Sequence, residues 1–86
     1  MSDRDNVLAA IDDQIDALKS ALDAAVRLGA TSAAYVVQMK LSEVEKTRRW
    51  AAGDENTCRV LARVHLAGIE QQTRKVRKGI EDVAHV

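Results

Sequence analysis

Apolar residues recur at alternating intervals of three and four along three long segments of this chain. This spacing is typical of amphipathic helices that pack against other helices, because it keeps the apolar side chains on one face. The 86 residues contain no proline, so glycine is the strongest helix-ending residue available. The pattern predicts an all-α protein and does not itself specify a chemistry.

Two glycines divide the chain into its helical segments. Gly29 and Gly53 each stand where an apolar pattern stops, and each is followed by residues that cap helices. We expect Thr31 and Ser32 to cap the second helix, and Asp54 to cap the third. The predicted helices cover residues 3–28, 32–52 and 55–84, within one helical domain spanning residues 1–86.

Each predicted helix carries one apolar stripe. The stripes comprise Leu8, Ile11, Ile15, Leu18, Leu22 and Ala25 in the first helix, Ala34, Val37, Leu41, Val44, Arg48 and Ala51 in the second, and Ala62, Leu66, Ile69, Thr73, Val76, Ile80 and Val83 in the third. The third helix begins with a broader apolar face at Cys58, Val60, Leu61 and Val64. We expect Arg48, the cation within a stripe, to extend its guanidinium into solvent; the alternatives are a polar residue that sets the register of the helices or a cation stacked on Trp50.

Short turns between the helices predict an antiparallel three-helix bundle with coiled-coil-like packing. In that arrangement the longer third helix runs back along the second, and its end, from Val76 to Ala84, projects past the Gly29 turn. Because Val76, Ile80 and Val83 continue the stripe there, we predict that they bind a partner or a second copy. The alternative is that the helix frays or bends near Gly79. Oligomerisation would also help so small a domain, which is only marginally stable alone.

The charges predict no long-range attraction to nucleic acid or anionic lipid, because thirteen acidic and thirteen basic side chains cancel. A local basic cluster stands on the third helix, opposite its apolar stripe; its members are Arg74, Lys75, Arg77 and Lys78. This cluster is a candidate contact for phosphate or for an acidic protein surface. A solvated helix face is the simpler interpretation.

Residues that could carry catalysis or bind a metal are sparse. Cys58 and His65 lie two helical turns apart, about 10 Å along the axis, which is too far for a catalytic pair. His85 has no candidate partner at ligand spacing. Asp12 and Asp16 could share a cation, but no Glu-x-x-His motif complements them, and a solvated acidic face is the simpler interpretation. We therefore predict no enzymatic activity, no metal and no cofactor.

The combined features favour a protein-interaction module. The start of the chain lacks a basic region followed by an apolar stretch, no apolar run is long enough for a membrane helix, and the one cysteine excludes an internal disulfide. We expect a complete, cytoplasmic protein that works as a homodimer and as a regulator, adaptor or inhibitor of a larger protein. The alternative is a nucleic-acid-associated regulator that uses the basic face of the third helix.

Overall fold

A computed structural model describes residues 2–84 of the chain, with side chains as far as Asp82. The helices are α1 (Asp3–Arg27), α2 (Thr31–Gly53), α3 (Glu55–Val60), a π-helical segment (Leu61–His65) and α4 (Leu66–Ala84). The backbone stays helical from α3 through the π-helical segment into α4, so these form one continuous third helix. The described range contains no strand, which confirms the all-helical prediction.

Gly29 ends the first helix by adopting a left-handed conformation, with φ of 69°. The amide of Ala30 donates to the carbonyl of Ala25 at 2.9 Å, and that of Gly29 donates to Val26 at 3.1 Å. These two bonds are those of a Schellman motif, which satisfies carbonyls at the end of a helix. The chain reverses within three residues, and α2 consequently lies beside α1.

The caps at the two turns differ from one another. Ala30 occupies the N-cap position of α2 and offers no side-chain hydrogen bond, so the predicted capping by Thr31 and Ser32 is wrong. Ala30 is both the last residue of the Schellman turn and the N-cap of α2, so the capping position holds no polar side chain. Asp54 caps α3 as predicted: its carboxylate accepts from the amide of Asn56 at 2.9 Å and the hydroxyl of Thr57 at 3.0 Å.

Helix α1 lies between α2 and α4 and packs against both. Within the described range, no Cα of α2 comes within 8 Å of a Cα of α4. Only the first part of the third helix, α3, contacts α2. The prediction that the third helix runs back along the second is therefore wrong. The two helices separate because α1 has apolar side chains on more than one side, so each packs on α1 instead of on the other.

The buried core is built mainly on α1. It consists of Val7, Ile11, Ile15, Leu18, Leu41, Ala51 and Cys58. Val60 and Val64, predicted to belong to a broad buried face, are instead 55% and 68% exposed. Cys58, Leu61 and Ala62 supply the contacts on this part of the third helix. The π-helical turn shifts the residues that follow around the helix, so that Ile69 continues the buried side.

Candidate functional site

The separation of α2 and α4 leaves an open groove with α1 as its floor. The groove has three sections, of about 370, 460 and 330 Å³, from the π-helical segment towards the Gly29 turn. The first two sections share Gln14, Val44 and Gln72, and the last two share Lys75 and Val76. The three sections therefore form one continuous surface, which we call the α2–α4 groove.

On each wall of the groove, a row of lining residues follows the alternating spacing of three and four residues. The rows are Ile11, Gln14, Leu18, Ala21 and Ala25 of α1 with Leu28 just after it, Ala33, Val37, Lys40, Val44 and Thr47 of α2, and Leu61, His65, Gly68, Gln72, Lys75 and Gly79 of the third helix. Ala24, Ala30, Glu43, Ile69, Val76 and Ile80 also line the groove. Stripes with this spacing are the surfaces that helices present to one another in bundles. Three such rows therefore face one groove, which no helix of the described chain fills.

The middle of the groove is polar. Gln14, which is only 7% exposed, donates from Nε2 to Oε1 of Gln72 at 3.3 Å, so the pair links α1 to α4. Lys40 and Lys75 enter this section from opposite walls, and Glu43 lies on the α2 side. Two lysines against one glutamate give the section one net positive charge.

The end of the groove near the Gly29 turn is lined by small and aliphatic residues, with Lys75 at its edge. Gly68 and Gly79 stand on the α4 wall, three helical turns apart and on nearly the same face. A Cβ built at either glycine would meet nothing within 4 Å. The packing of the described residues therefore does not require glycine at either position.

Two arginine–aspartate pairs hold the walls on opposite sides of α1. Arg48 of α2 forms a salt bridge with Asp12, and Arg77 of α4 binds Asp13 through two nitrogens, at 2.6 and 2.9 Å. The Arg48 side chain is 40% exposed, so its guanidinium reaches the surface as expected, and there it is paired with the Asp12 carboxylate. Adjacent residues of α1 thus pair with α2 on one side and with α4 on the other.

Hydrogen bonds shift the pKa values of Asp13, Arg77, Arg48 and Asp54. The hydrogen bond from Arg77 lowers the pKa of Asp13 below its ordinary value, and desolvation opposes this only partly. In return, Asp13 raises the pKa of Arg77, and Asp12 raises that of Arg48. At the turn, the hydrogen bonds from Thr57 and Asn56 lower the pKa of Asp54. Each group is therefore charged at neutral pH.

The predicted partner-binding residues lie in the groove and not on a projecting end. Val76 packs against the buried core, and Val76 and Ile80 line the last groove section with residues of α1 and α2. The prediction that neither neighbouring helix covers Val76 and Ile80 is wrong. Helix α4 runs alongside α1 at these residues, where the sequence predicted a projecting end. The side chain of Val83 lies outside the described part of the chain.

The basic cluster is divided between different roles. Arg77 is bound to Asp13, and Lys75 lines the groove. Arg74 and Lys78 are exposed, on the surface opposite the apolar stripe. The four cations therefore do not form one uniform basic face.

The other candidate residues are scattered. Cys58 is buried, and its thiol donates to the carbonyl of Ala51 at 2.9 Å. His65 is exposed at the end of the groove, and His85 lies outside the described range. Within that range no group of three or more His, Cys, Asp or Glu side chains could hold a metal ion. The described helices also include none with the length and apolar character needed to cross a membrane.

Sequence reasoning did not identify the pairing of Gln14 with Gln72 or the placement of Gly68 and Gly79 in the groove. One signal was present in the sequence. Gln14 belongs to a second series on α1 with the same spacing as the first, formed by Val7, Ile11, Gln14, Leu18, Ala21, Ala25 and Leu28. Two such series on one helix indicate neighbours on two sides.

No protein-family model, curated protein or solved structure matches this chain.

Proposed function

We propose that this chain is a small protein-interaction module that binds one amphipathic helix of a larger partner in the α2–α4 groove. The observation that carries the proposal is the convergence of three stripes, each with alternating spacing, on a space that no helix of the described chain fills. A helix with the same spacing would complete a four-helix arrangement. In this role the protein is a regulator, adaptor or inhibitor of its partner.

The two groove glycines support the proposal. Glycine within a helix costs about 1 kcal/mol relative to alanine, and nothing in the described packing needs Gly68 or Gly79. Small residues on a helix surface let another backbone approach closely. Their presence on the groove wall is explained if a partner helix lies against α4 at these points.

The charges of the groove define the chemistry of the partner. A helix lying there would pass between Lys40 and Lys75, so acidic residues flanking its apolar stripe would be favoured. A polar residue at its centre could hydrogen-bond to Gln14 or Gln72. Val76 and Ile80 would contact its apolar stripe near the Gly29 turn. Both are already half-buried, so each would contribute less than the roughly 1.5–3 kcal/mol gained on burying a fully exposed side chain, before the costs of association.

We also propose that the working form is a homodimer. So small a domain gains stability from association, and large apolar side chains are exposed outside the groove as well as in it.

A nucleic-acid-associated role remains the alternative, and its support is weaker. Arg77 is engaged by Asp13, which leaves Arg74, Lys75 and Lys78 as the cations that could reach phosphate. Phosphate binding would weaken steeply with added salt, whereas an apolar helix complex would depend on salt much less.

The test uses a synthetic helical peptide of about 18 residues, long enough to span roughly 27 Å. It has Leu and Ala in alternating three- and four-residue spacing and Glu at the flanking positions. A second peptide has Lys in place of Glu. We expect the wild-type protein to bind the Glu peptide in a fluorescence anisotropy titration, and to bind the Lys peptide more weakly because of Lys40 and Lys75.

Two leucine variants locate the binding site. Gly79→Leu places a large side chain in the groove, and we expect at least tenfold weaker binding of the Glu peptide. Ala67→Leu is the matched control, because Ala67 is exposed on the same helix and lines no groove section. Equal binding by the wild type and both variants, or no binding by the wild type, would contradict the proposal. Arg74→Gln with Lys78→Gln should leave peptide binding intact.

A further inference from the structure

The side of α2 that faces away from the core carries a second regular row. Its members are Ser32, Val36, Met39, Glu43, Lys46, Trp50 and Gly53, spaced alternately by four and three residues. From Val36 to Trp50 the row occupies roughly 80° of the helix surface. Val36, Met39 and Trp50 are 54%, 51% and 63% exposed. We call this surface the outer row of α2.

The centre of the outer row carries opposite charges three residues apart. Glu43 and Lys46 are both exposed, and neither is in a salt bridge with any described residue. The ammonium of Lys46 lies 5.5 Å from the ring centroid of Trp50. The outer row thus has apolar residues at its two ends and opposite charges at its centre. Such a row can bind an identical row if the symmetry of the pair brings the acidic residue of one copy against the basic residue of the other.

We propose that a second copy of this chain pairs with the outer row, with the two α2 helices antiparallel about a two-fold axis midway between Glu43 and Lys46. Antiparallel pairing places Glu43 of each copy opposite Lys46 of the other. The same register places Met39 opposite Trp50, and Val36 opposite Gly53. Every position of the row from Val36 to Gly53 then faces a compatible residue, and the interface is closed by its own symmetry.

The charges also select the direction of pairing. A parallel arrangement in register would place Glu43 against Glu43 and Lys46 against Lys46, and like charges at such positions disfavour association. Antiparallel pairing converts both contacts into attractions. A second copy therefore fits this row better than an arbitrary apolar helix, which would leave Glu43 and Lys46 without partners.

This inference rests on the proposed homodimer and not on the use of the groove. Met39, Lys46 and Trp50 line none of the groove sections described above, whereas Glu43 borders the middle section. Lys46 is consequently the better residue for the first test.

Sedimentation equilibrium of the full chain measures the dimer directly. We expect a concentration-dependent dimer for the wild type, and a dissociation constant at least tenfold larger for Lys46→Glu, in which both central contacts become repulsive. Gln38→Lys is the matched control for introducing charge, because Gln38 is exposed on another side of α2. Circular dichroism checks that each variant stays helical.

The decisive variant exchanges the two charges. Glu43→Lys alone should weaken the dimer, and Glu43→Lys combined with Lys46→Glu should restore it, because antiparallel symmetry again pairs opposite charges. An equimolar mixture of Glu43→Lys and Lys46→Glu should form a heterodimer. Failure of the double variant to recover, or a dimer unaffected by Lys46→Glu, would overturn the proposed register.

Dimerisation through the outer row and peptide binding in the groove can be tested separately. Gly79→Leu should leave the dimer intact while weakening binding of the Glu peptide. A wild type that is monomeric at every concentration would overturn the dimer, yet peptide binding in the groove could still be observed. If the wild type is dimeric but does not bind the Glu peptide, only the proposal that the groove binds a partner helix is contradicted.

Discussion

At the residue scale, Gly29 is fixed by backbone geometry. Its φ of 69° belongs to the left-handed region, where side chains with a Cβ are strained, and its amide completes the Schellman turn. Gly53 occupies a similar place in the sequence, but it lacks a positive φ and ends α2 within the helix. The conformation of the first turn therefore requires glycine at Gly29, whereas that of the second turn does not require it at Gly53.

We expect Gly29→Ala to lower the free energy of unfolding by about 1–2 kcal/mol, because alanine is strained in the left-handed conformation. Gly53→Ala is the control, and it should be neutral or slightly stabilising, since an added Cβ meets nothing within 4 Å. Urea denaturation followed by circular dichroism measures both. An equal loss in the two variants would show that the Gly29 turn is not left-handed.

A second prediction at this scale concerns pH. Because Arg77 lowers the pKa of Asp13, the stability contributed by their pair is present above the ordinary aspartate pKa of 3.8 and is lost as the pH falls through the lowered value. Asp13→Asn should reduce the urea midpoint near about pH 7, and the difference from wild type should shrink towards about pH 2. A difference that stays constant across this range would mean that the ion pair is not its source.

At the element scale, the sequence was sufficient to predict the helices but not their neighbours. The helix limits agree within about two residues, because Gly29 and Asp54 act through local geometry and local hydrogen bonds. The pairing of α4 with α1 was not predictable from the stripe on α4, since a stripe identifies the packed face and not its partner. Val60 was misplaced because it stands about 200° around the helix from buried Cys58, and Val64 lies within the π-helical segment, which periodicity does not reveal.

The candidate site was predictable only in part, and for the same reason. Val76 and Ile80 were identified as interaction residues from their spacing, and they do line the groove. The Gln14–Gln72 bond and the Asp13–Arg77 pair join residues far apart in the sequence. No local pattern specifies such pairs, so the groove emerges only when the helices are placed together.

Helix α4 should become more stable when its groove glycines are replaced. Gly68→Ala and Gly79→Ala should each raise the free energy of unfolding by up to about 1 kcal/mol, because alanine favours helix and its methyl group meets nothing within 4 Å. Thermal melting of each variant tests this. A loss of stability at either position would indicate that another part of the molecule already occupies the groove.

At the scale of the whole molecule, α1 lies between two helices that do not pack on each other within the described range. The Asp12–Arg48 and Asp13–Arg77 pairs bind the walls on opposite sides, and α1 supplies most of the buried core. The groove and the outer row of α2 are then two surfaces that share only Glu43, and we propose the first for a partner helix and the second for another copy of the chain.

The most direct test of this arrangement is the distance across the groove in solution. Spin labels introduced by Ser42→Cys and Gln71→Cys, two exposed positions that line no groove section, report the separation of α2 and α4 by double electron–electron resonance, in a Cys58→Ala background whose helicity is checked first. Dilution with unlabelled protein removes distances between copies. We predict a distance longer than expected for labels on helices in contact, whose axes lie about 8–10 Å apart, and little change when the Glu peptide binds. A distance matching directly packed helices would show that the groove is closed, and would contradict the account.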